Sequence, residues 1–411
     1  MTDEDGCKTG EADSAGRHSA LEVLRAFFLM GLRSFGGPVA HLGYFRQEFV
    51  ERRRWLDDTT YTELVALCQF LPGPGSSQVG FSIGLMRAGY LGGLAAWTGF
   101  TLPSAIALTL FAYSARAHMG SVGTGLLHGL KLAAVAIVAQ AVVGMGRALC
   151  PDRQRATIAA VAMVLALCWN SSVAQICAIL LGATAGLLFC RSPYAAVKIV
   201  AVIPVSRRTG ITALLAFVAF LIGPHIVLRL HGSTYLTLFD AFYRSGALVF
   251  GGGHVVLPLL REAFVNPGWI SDDTFLAGYG ATQAVPGPLF SFAAYLGAAA
   301  GSGSNGVGDA ALGLVAIFLP GLLLLVGALP FWNILRGDST AQAAICGVNA
   351  AVVGLLGAAL YTPVWISSIH TPADLSVGLI GFVLLTTWRA QPFVVVMMCA
   401  IAGIGLGQIP I

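Results

Sequence analysis

Four short Gly/Pro clusters are the residues of this chain best suited to chemistry: Phe35-Gly36-Gly37-Pro38, Pro72-Gly73-Pro74, Phe250-Gly251-Gly252-Gly253 and Pro286-Gly287-Pro288. Each interrupts an apolar stretch. A helix broken in apolar surroundings leaves N–H and C=O groups that only protein or a water-filled cavity can satisfy. Where the helix restarts, its first N–H groups are free and its positive dipole end faces the break. Pro38, Ser76 and Ser77 suit the first positions of such helices. An anion is the natural ligand of this arrangement, and bare glycine backbone lets a tetrahedral oxyanion reach the amides. Tight loops and close helix packing are the plainer reading of any one cluster; four clusters, matched in pairs, favour a binding site.

Few side chains can assist. Gln69 and Gln283 precede the two Pro-Gly-Pro turns by one helical turn and can donate to an oxygen, and Ser77 and Ser291 follow at matched positions. Arg33 and Lys131 are cations in apolar surroundings, and the positions matching them are Leu248 and Asn349. An intramembrane charge suggests function by default, although either side chain could instead snorkel to an interface. Arg46 and Arg261 match each other toward the outer ends of their segments, where gating or anion attraction at the two mouths suits them. Asp58 and Asp272 read as helix N-caps, and His41 and His254 as satisfied core histidines. The eight cysteines form no CxxC pair and read as small buried hydrophobes. HExxH, Walker lysine, nucleophile-elbow and paired-carboxylate motifs are missing, so neither an enzyme nor an ATP-driven pump has support. Energy would have to come from an ion gradient.

The elements that position these residues follow from composition. Of the 411 residues 56% are apolar and 10% charged, against about 25% charged in a soluble domain. Nineteen of the 42 full charges fall within residues 1–63. Continuous apolar windows of roughly 20 residues recur along the rest, which indicates a polytopic α-helical membrane protein. A β-barrel would alternate apolar and polar residues instead. The net charge of +4 resides in short loops and gives no case for nucleic acid. Residues 1–20 read as a disordered acidic tail without a signal peptide's basic start.

The chain reads as one unit written twice. Phe35-Gly36-Gly37, Arg46, Phe49 and Val50 recur 215 residues on; Trp55, Asp58, Gln69, Pro72-Gly73-Pro74 and Ser77 recur 214 on; Gly129 and Ala133 recur 218 on. The first repeat is expected over 21–190 and the second over 236–409, with a linker over 191–235 that carries one unmatched helix, 209–228. Full spans are expected at 92–114, 126–147, 154–170, 173–190, 209–228, 309–329, 342–361, 373–389 and 392–409. The segments 20–53, 59–90, 236–266 and 272–300 are broken in the middle, and arms of roughly 20–25 Å predict re-entrant helical hairpins. Tilted full spans joined by loops are the alternative.

With a cytoplasmic N-terminus, the hairpin scheme puts 17 of the 23 basic residues inside, four outside and two within the membrane, as the positive-inside rule requires. The unmatched helix then inverts the second half relative to the first. Inverted repeats with discontinuous helices at the midplane are a recurring secondary-transporter design.

Ser34-Phe-Gly-Gly-Pro-Val-Ala-His41, Arg52-Arg-Arg-Trp55, Gln69-Phe-Leu-Pro-Gly-Pro74, Phe100-Thr-Leu-Pro103 and Gln283-Ala-Val-Pro-Gly-Pro288 resemble the chromate ion transporter family, in its long form with two homologous halves. The resemblance covers nearly the whole chain from residue 21. It implies a bacterial inner-membrane protein that exports chromate with the proton-motive force and confers chromate resistance. Gly75 departs from an expected Thr and Arg33 from an expected small or neutral residue. Sulfate transport and an anion channel are the alternatives. The expected partners are the oxyanion, a coupling proton or counter-ion, the lipid bilayer and at most a second copy in a homodimer, with no cofactor and no metal.

Overall fold

The computed structural model describes residues 19–117, 121–169, 172–190, 205–230, 232–301, 306–332 and 338–406. All but two residues of the expected acidic tail and 191–204 of the linker lie outside the described residues. Among those described, every regular element is helical. The first half runs α1 (Ala20–Gly31), α2 (Gly37–Phe45), a π-helical continuation Arg46–Arg52, α3 (Asp58–Phe70), α4 (Gly75–Ala117), α5 (Ser121–Leu149), α6 (Arg153–Cys168) and α7 (Ser172–Phe189). Helix α8 (Arg207–Leu230) intervenes. The second half runs α9 (Thr234–Ala247), α10 (Val256–Phe264), α11 (Asp272–Ala284), α12 (Phe292–Ala300), α13 (Gly306–Ala328), α14 (Ser339–Ala359), α15 (Pro372–Thr386) and α16 (Pro392–Leu406).

All four clusters separate short helices. The flanking arms α1, α3, α9 and α11 have 12, 13, 14 and 13 residues, about 20 Å each against a hydrocarbon core of about 30 Å. Helix α4 is itself bent double: Ala88 and Gly89 leave helical φ/ψ, and Gly84 lies so close to the backbone of Gly92 that neither has room for a Cβ. Its first arm, 75–87, corresponds to α12.

Among the described residues, five helices are long and apolar enough to cross a membrane: Gly75–Ala115, Gly123–Leu149, Arg207–Leu228, Gly306–Phe331 and Ser339–Trp365. The spans expected over 154–170, 173–190, 373–389 and 392–409 are shorter, with 16, 18, 15 and 15 residues. Local capping sets the start of two of them, one residue before the expected position. Asp152 caps α6 by accepting from Arg155 N at 2.8 Å, and Thr371 and Asp374 form a capping box at the start of α15. The α3 cap is Asp57, whose carboxyl is held below its ordinary range chiefly by the Thr60 backbone N–H.

Matched aromatic groups hold the first broken segment of each half. Phe27, Phe49 and Trp55 stack with centroids 4.6 and 4.8 Å apart; their repeat partners Phe242, Phe264 and Trp269 pack at 4.6 and 5.2 Å, the first pair tilted and the second edge to face. Each such pair adds about 0.5–1.5 kcal/mol beyond area burial.

The halves interlock by exchange. Helix α5 packs on α16 and its repeat partner α14 on α7, each lying against the last helix of the other half. Small residues make this possible, as small-xxx-small helix packing requires. A Cβ on Gly129 would strike the backbone at Cys399 and one on Gly347 the backbone at Gly182, and both contacts are repeat-related. Helix α8 stands at the periphery, with only 11% of its span window buried.

Candidate functional site

The four breaks meet between the halves. Gly73 N–H donates to Val249 O at 2.7 Å, and Gly287 N–H donates to Ser34 O at 2.9 Å. Gly73 and Gly287 are repeat partners, as are Ser34 and Val249, so each Pro-Gly-Pro turn is tied to the residue just before the Phe-Gly-Gly break of the other half. The backbone of each pair is alike. Gly36 and Gly251 have φ of 103° and 74°, Gly37 and Gly252 of 77° and 140°, and Gly73 and Gly287 of 118° and 115°. These values lie in the left-handed region that side chains disfavour. Space is also tight at the turns, since a Cβ on Gly73 would sit 2.9 Å from Gly321 Cα and one on Gly287 2.8 Å from Ser104 Oγ.

Neighbouring polar groups secure the junction. Gln78 Nε2 donates to Pro72 O at 3.0 Å and across the halves to Gly321 O at 2.9 Å. Ser291 Oγ lies 2.7 Å from Ser104 Oγ and donates to Pro288 O. His41 is buried with Nε2 3.2 Å from Ser34 O and Nδ1 3.4 Å from Ser76 Oγ. His254 Nδ1 lies 2.7 Å from Tyr279 Oη. His41 is satisfied in the core, and His254 is half-buried against Tyr279.

Beside the junction lies a cavity of about 450 Å³. Gln69, Gly73, Gly75 and Ser76 of the second break in half one line it, together with Gly251, Gly252 and Gly253 of the first break in half two and Pro38. The C-terminal part of α5 (Gly144, Met145, Ala148, Leu149) and Asn349 of α14 complete one wall. Among the described residues no charged side chain lines this cavity. Its polar surface comes from Gln69, Ser76, Asn349 and exposed backbone, and Gly75 and Ser76 open α4, where first-turn amides have no helical acceptor. Such a surface suits a small oxyanion bound by amides and hydroxyls.

The remaining expected residues lie elsewhere. Phe35, Gly36, Gly37, Pro72, Pro74 and Ser77 sit at the breaks outside the cavity lining, as do Gln283, Pro286, Gly287, Pro288 and Ser291. The buried Ser34 Oγ, Ser77 Oγ and Gln283 Nε2 make no hydrogen bond. Arg33 is exposed and lines no part of the cavity. Lys131 is buried on α5 and donates to Asp273 Oδ1 at 2.8 Å and to Ser367 O at 3.1 Å.

Arg46 and Arg261 are engaged by carboxylates. Arg46 Nε donates to Asp58 Oδ1 at 2.7 Å, and Arg261 donates to both Asp272 oxygens at 2.8 and 3.0 Å. Asp58 and Asp272 are therefore ion-pair partners; the N-caps are one residue earlier, Asp57 and Ser271. These matched pairs fasten the end of each first broken segment to the start of the second.

Asn349, Gln78 and Ser104 were not legible as site residues. The one available signal was the repeat register, which aligns Asn349 with Lys131. Among the described residues no group of three or more His, Cys, Asp or Glu side chains converges as a metal site.

Comparison with known proteins agrees with this duplicated architecture. A family model described as chromate transporter matches twice, over residues 21–187 and 236–404. A chromate transport protein of Pseudomonas aeruginosa is 30% identical over 389 residues, covering 92% of this chain and 90% of the relative. A probable chromate transport protein of Synechococcus elongatus is 25% identical, covering 94% and 95%, and a chromate transport protein of Cupriavidus metallidurans is 24% identical, covering 95% and 94%. No solved structure matches.

Proposed function

The chain belongs to the chromate transporter family, and from that premise we propose that it exports chromate, a tetrahedral dianion, across a bacterial inner membrane by proton-coupled alternating access. Export would confer chromate resistance. The observation that carries this reading is the junction of breaks: one cavity takes its lining from the second break of half one and the first break of half two, with amides and amide side chains in place of charges.

Alternating access draws support from asymmetry between equivalent parts. Repeat symmetry pairs Gln69 with Gln283, Gly73 with Gly287 and Gly251 with Gly36, yet only the first member of each pair lines the cavity. Exchange of roles between the halves would open the second set. Inverted repeats are supported by the course of two repeat partners. The C-terminal end of α5 adjoins the middle of α14, since Gly251 has both Leu149 and Asn349 as neighbours. Earlier on α5, Lys131 adjoins Ser367, which lies in the turn beyond the C-terminal end of α14. The two helices thus run in opposite directions. Short arms on both sides of each break support re-entrant hairpins.

With Arg46, Arg52, Arg53, Arg54, Arg87 and Arg147 on the cytoplasmic side, the cavity is cytoplasmic as well, because α5 ends beside it. This is an inward-facing state ready to load substrate for export.

Chromate flux into inside-out proteoliposomes with a clamped pH gradient tests the proposal. Saturable uptake, accelerated when the lumen is acidic and reduced more by unlabelled chromate than by sulfate, is expected. Uptake indifferent to the pH gradient contradicts proton coupling, and stronger competition by sulfate makes this a sulfate carrier.

A further inference from the structure

Lys131 occupies the place in half one that Asn349 occupies in half two. Asn349 lines the inner cavity. At the same offset of 218, the lining residue Leu149 corresponds to Ser367, whose carbonyl Lys131 holds at 3.1 Å. Repeat symmetry therefore puts Lys131 and Ser367 at the outer counterpart of this cavity, about 20 Å from Met145 along α5. There they are drawn together, and Asp273 at the start of α11 closes the contact with a 2.8 Å ion pair. One turn earlier on α5, His128 Nε2 lies 2.7 Å from Asp374 Oδ1 of α15, which fastens the same layer.

The exposures are unequal: the Lys131 side chain is 11% exposed and that of Asp273 71%. An ion pair with one partner in water contributes little net stability, so it can open and close within a transport cycle. A buried ammonium released from its carboxylate needs another anion. In a carrier of oxyanions that anion is the substrate.

We propose that Lys131 is both the latch of the outer vestibule and the cation that binds the oxyanion when that vestibule opens. This rests on the alternating-access reading above. In the inward-facing state the ammonium bridges Asp273 and Ser367 O. In the outward-facing state it holds the oxyanion, and its return to Asp273 displaces the anion as the vestibule closes. The two faces of the carrier are then chemically unequal, with an amide at the inner wall and an ammonium at the outer one.

The test measures half-saturation by chromate separately at each face, in right-side-out and inside-out vesicles carrying the full chain. Lys131→Asn makes the two walls alike and should weaken binding at the outer face about tenfold, the scale of one charge-assisted contact, with the inner value changed less than about twofold. Asp273→Asn removes the competitor but keeps the cation, so outer binding should tighten while release and turnover slow. Lys131→Arg should retain tight outer binding. Equal weakening at both faces, an effect at the inner face alone, or no change in either variant overturns the proposal. If Lys131→Asn fails to insert, Asp273→Asn decides alone, because unchanged outer binding there is incompatible with a competing carboxylate. Wild-type vesicles without saturable chromate flux would instead defeat the transport reading itself.

Discussion

Gly73 and Gly287 carry the junction between the halves, each for two separable reasons. Their φ values of 118° and 115° exclude a comfortable side chain, and their Cβ positions are already occupied by Gly321 and Ser104. Gly37 shares only the first reason, since its φ is 77° but nothing lies within 4 Å of its Cβ position. Gly37→Ala should therefore cost about 1–2 kcal/mol of stability. Gly73→Ala and Gly287→Ala should cost more, through added overpacking of about 1–3 kcal/mol. Thermal unfolding of the purified protein in detergent checks the order, and equal losses at all three sites would contradict it. Glycine and proline made these positions legible in the sequence, because only a break explains them within apolar runs. The roles of Arg46 and Arg261 were not legible. Their carboxylate partners stand 12 and 11 residues away, and only the fold brings them back within reach. Asn349 escaped notice because a neutral amide in a helix carries no signal of its own.

Helix lengths divide the elements into two kinds. Long apolar helices such as α5 and α14 were legible from hydropathy, and the breaks from their punctuation. The C-terminal ends of α6 and α15 were read two and three residues too far, since hydropathy does not register where a helix stops within an apolar run. The pairing of helices was also hidden, although its cause was in view. Gly125 and Gly129 face Gly403 and Cys399, while Gly182 and Gly186 face Gly347 and Ala343. Close backbone approach of this kind tolerates no branched side chain. Gly129→Leu or Gly347→Leu should abolish the folded, monodisperse protein, whereas Gly146→Ala, with open space at its Cβ position, should leave it intact. Size-exclusion chromatography of the solubilised variants is the check, and a well-behaved Gly129→Leu would contradict the tight α5–α16 contact.

At the scale of the whole molecule, scarcity of charge becomes a functional property. Acid and base side chains are concentrated in the first 63 residues and in loops, and the cavity between the breaks has none in its lining. On the proposed carrier reading, an oxyanion in this inner cavity is held by amides, hydroxyls and helix ends, and binding there without a fixed counter-charge stays weak enough to release. The duplicated sequence announced the two halves, but their reciprocal hydrogen bonds, Gly73 to Val249 and Gly287 to Ser34, depend on how the halves dock. A continuous channel could use the same helix ends. Counterflow separates the two most directly. Proteoliposomes preloaded with unlabelled chromate should accumulate labelled chromate transiently above equilibrium, because a carrier returns faster loaded than empty. Labelled chromate that rises monotonically to equilibrium, with no overshoot at any preload, would contradict a carrier built on exchange between the two halves.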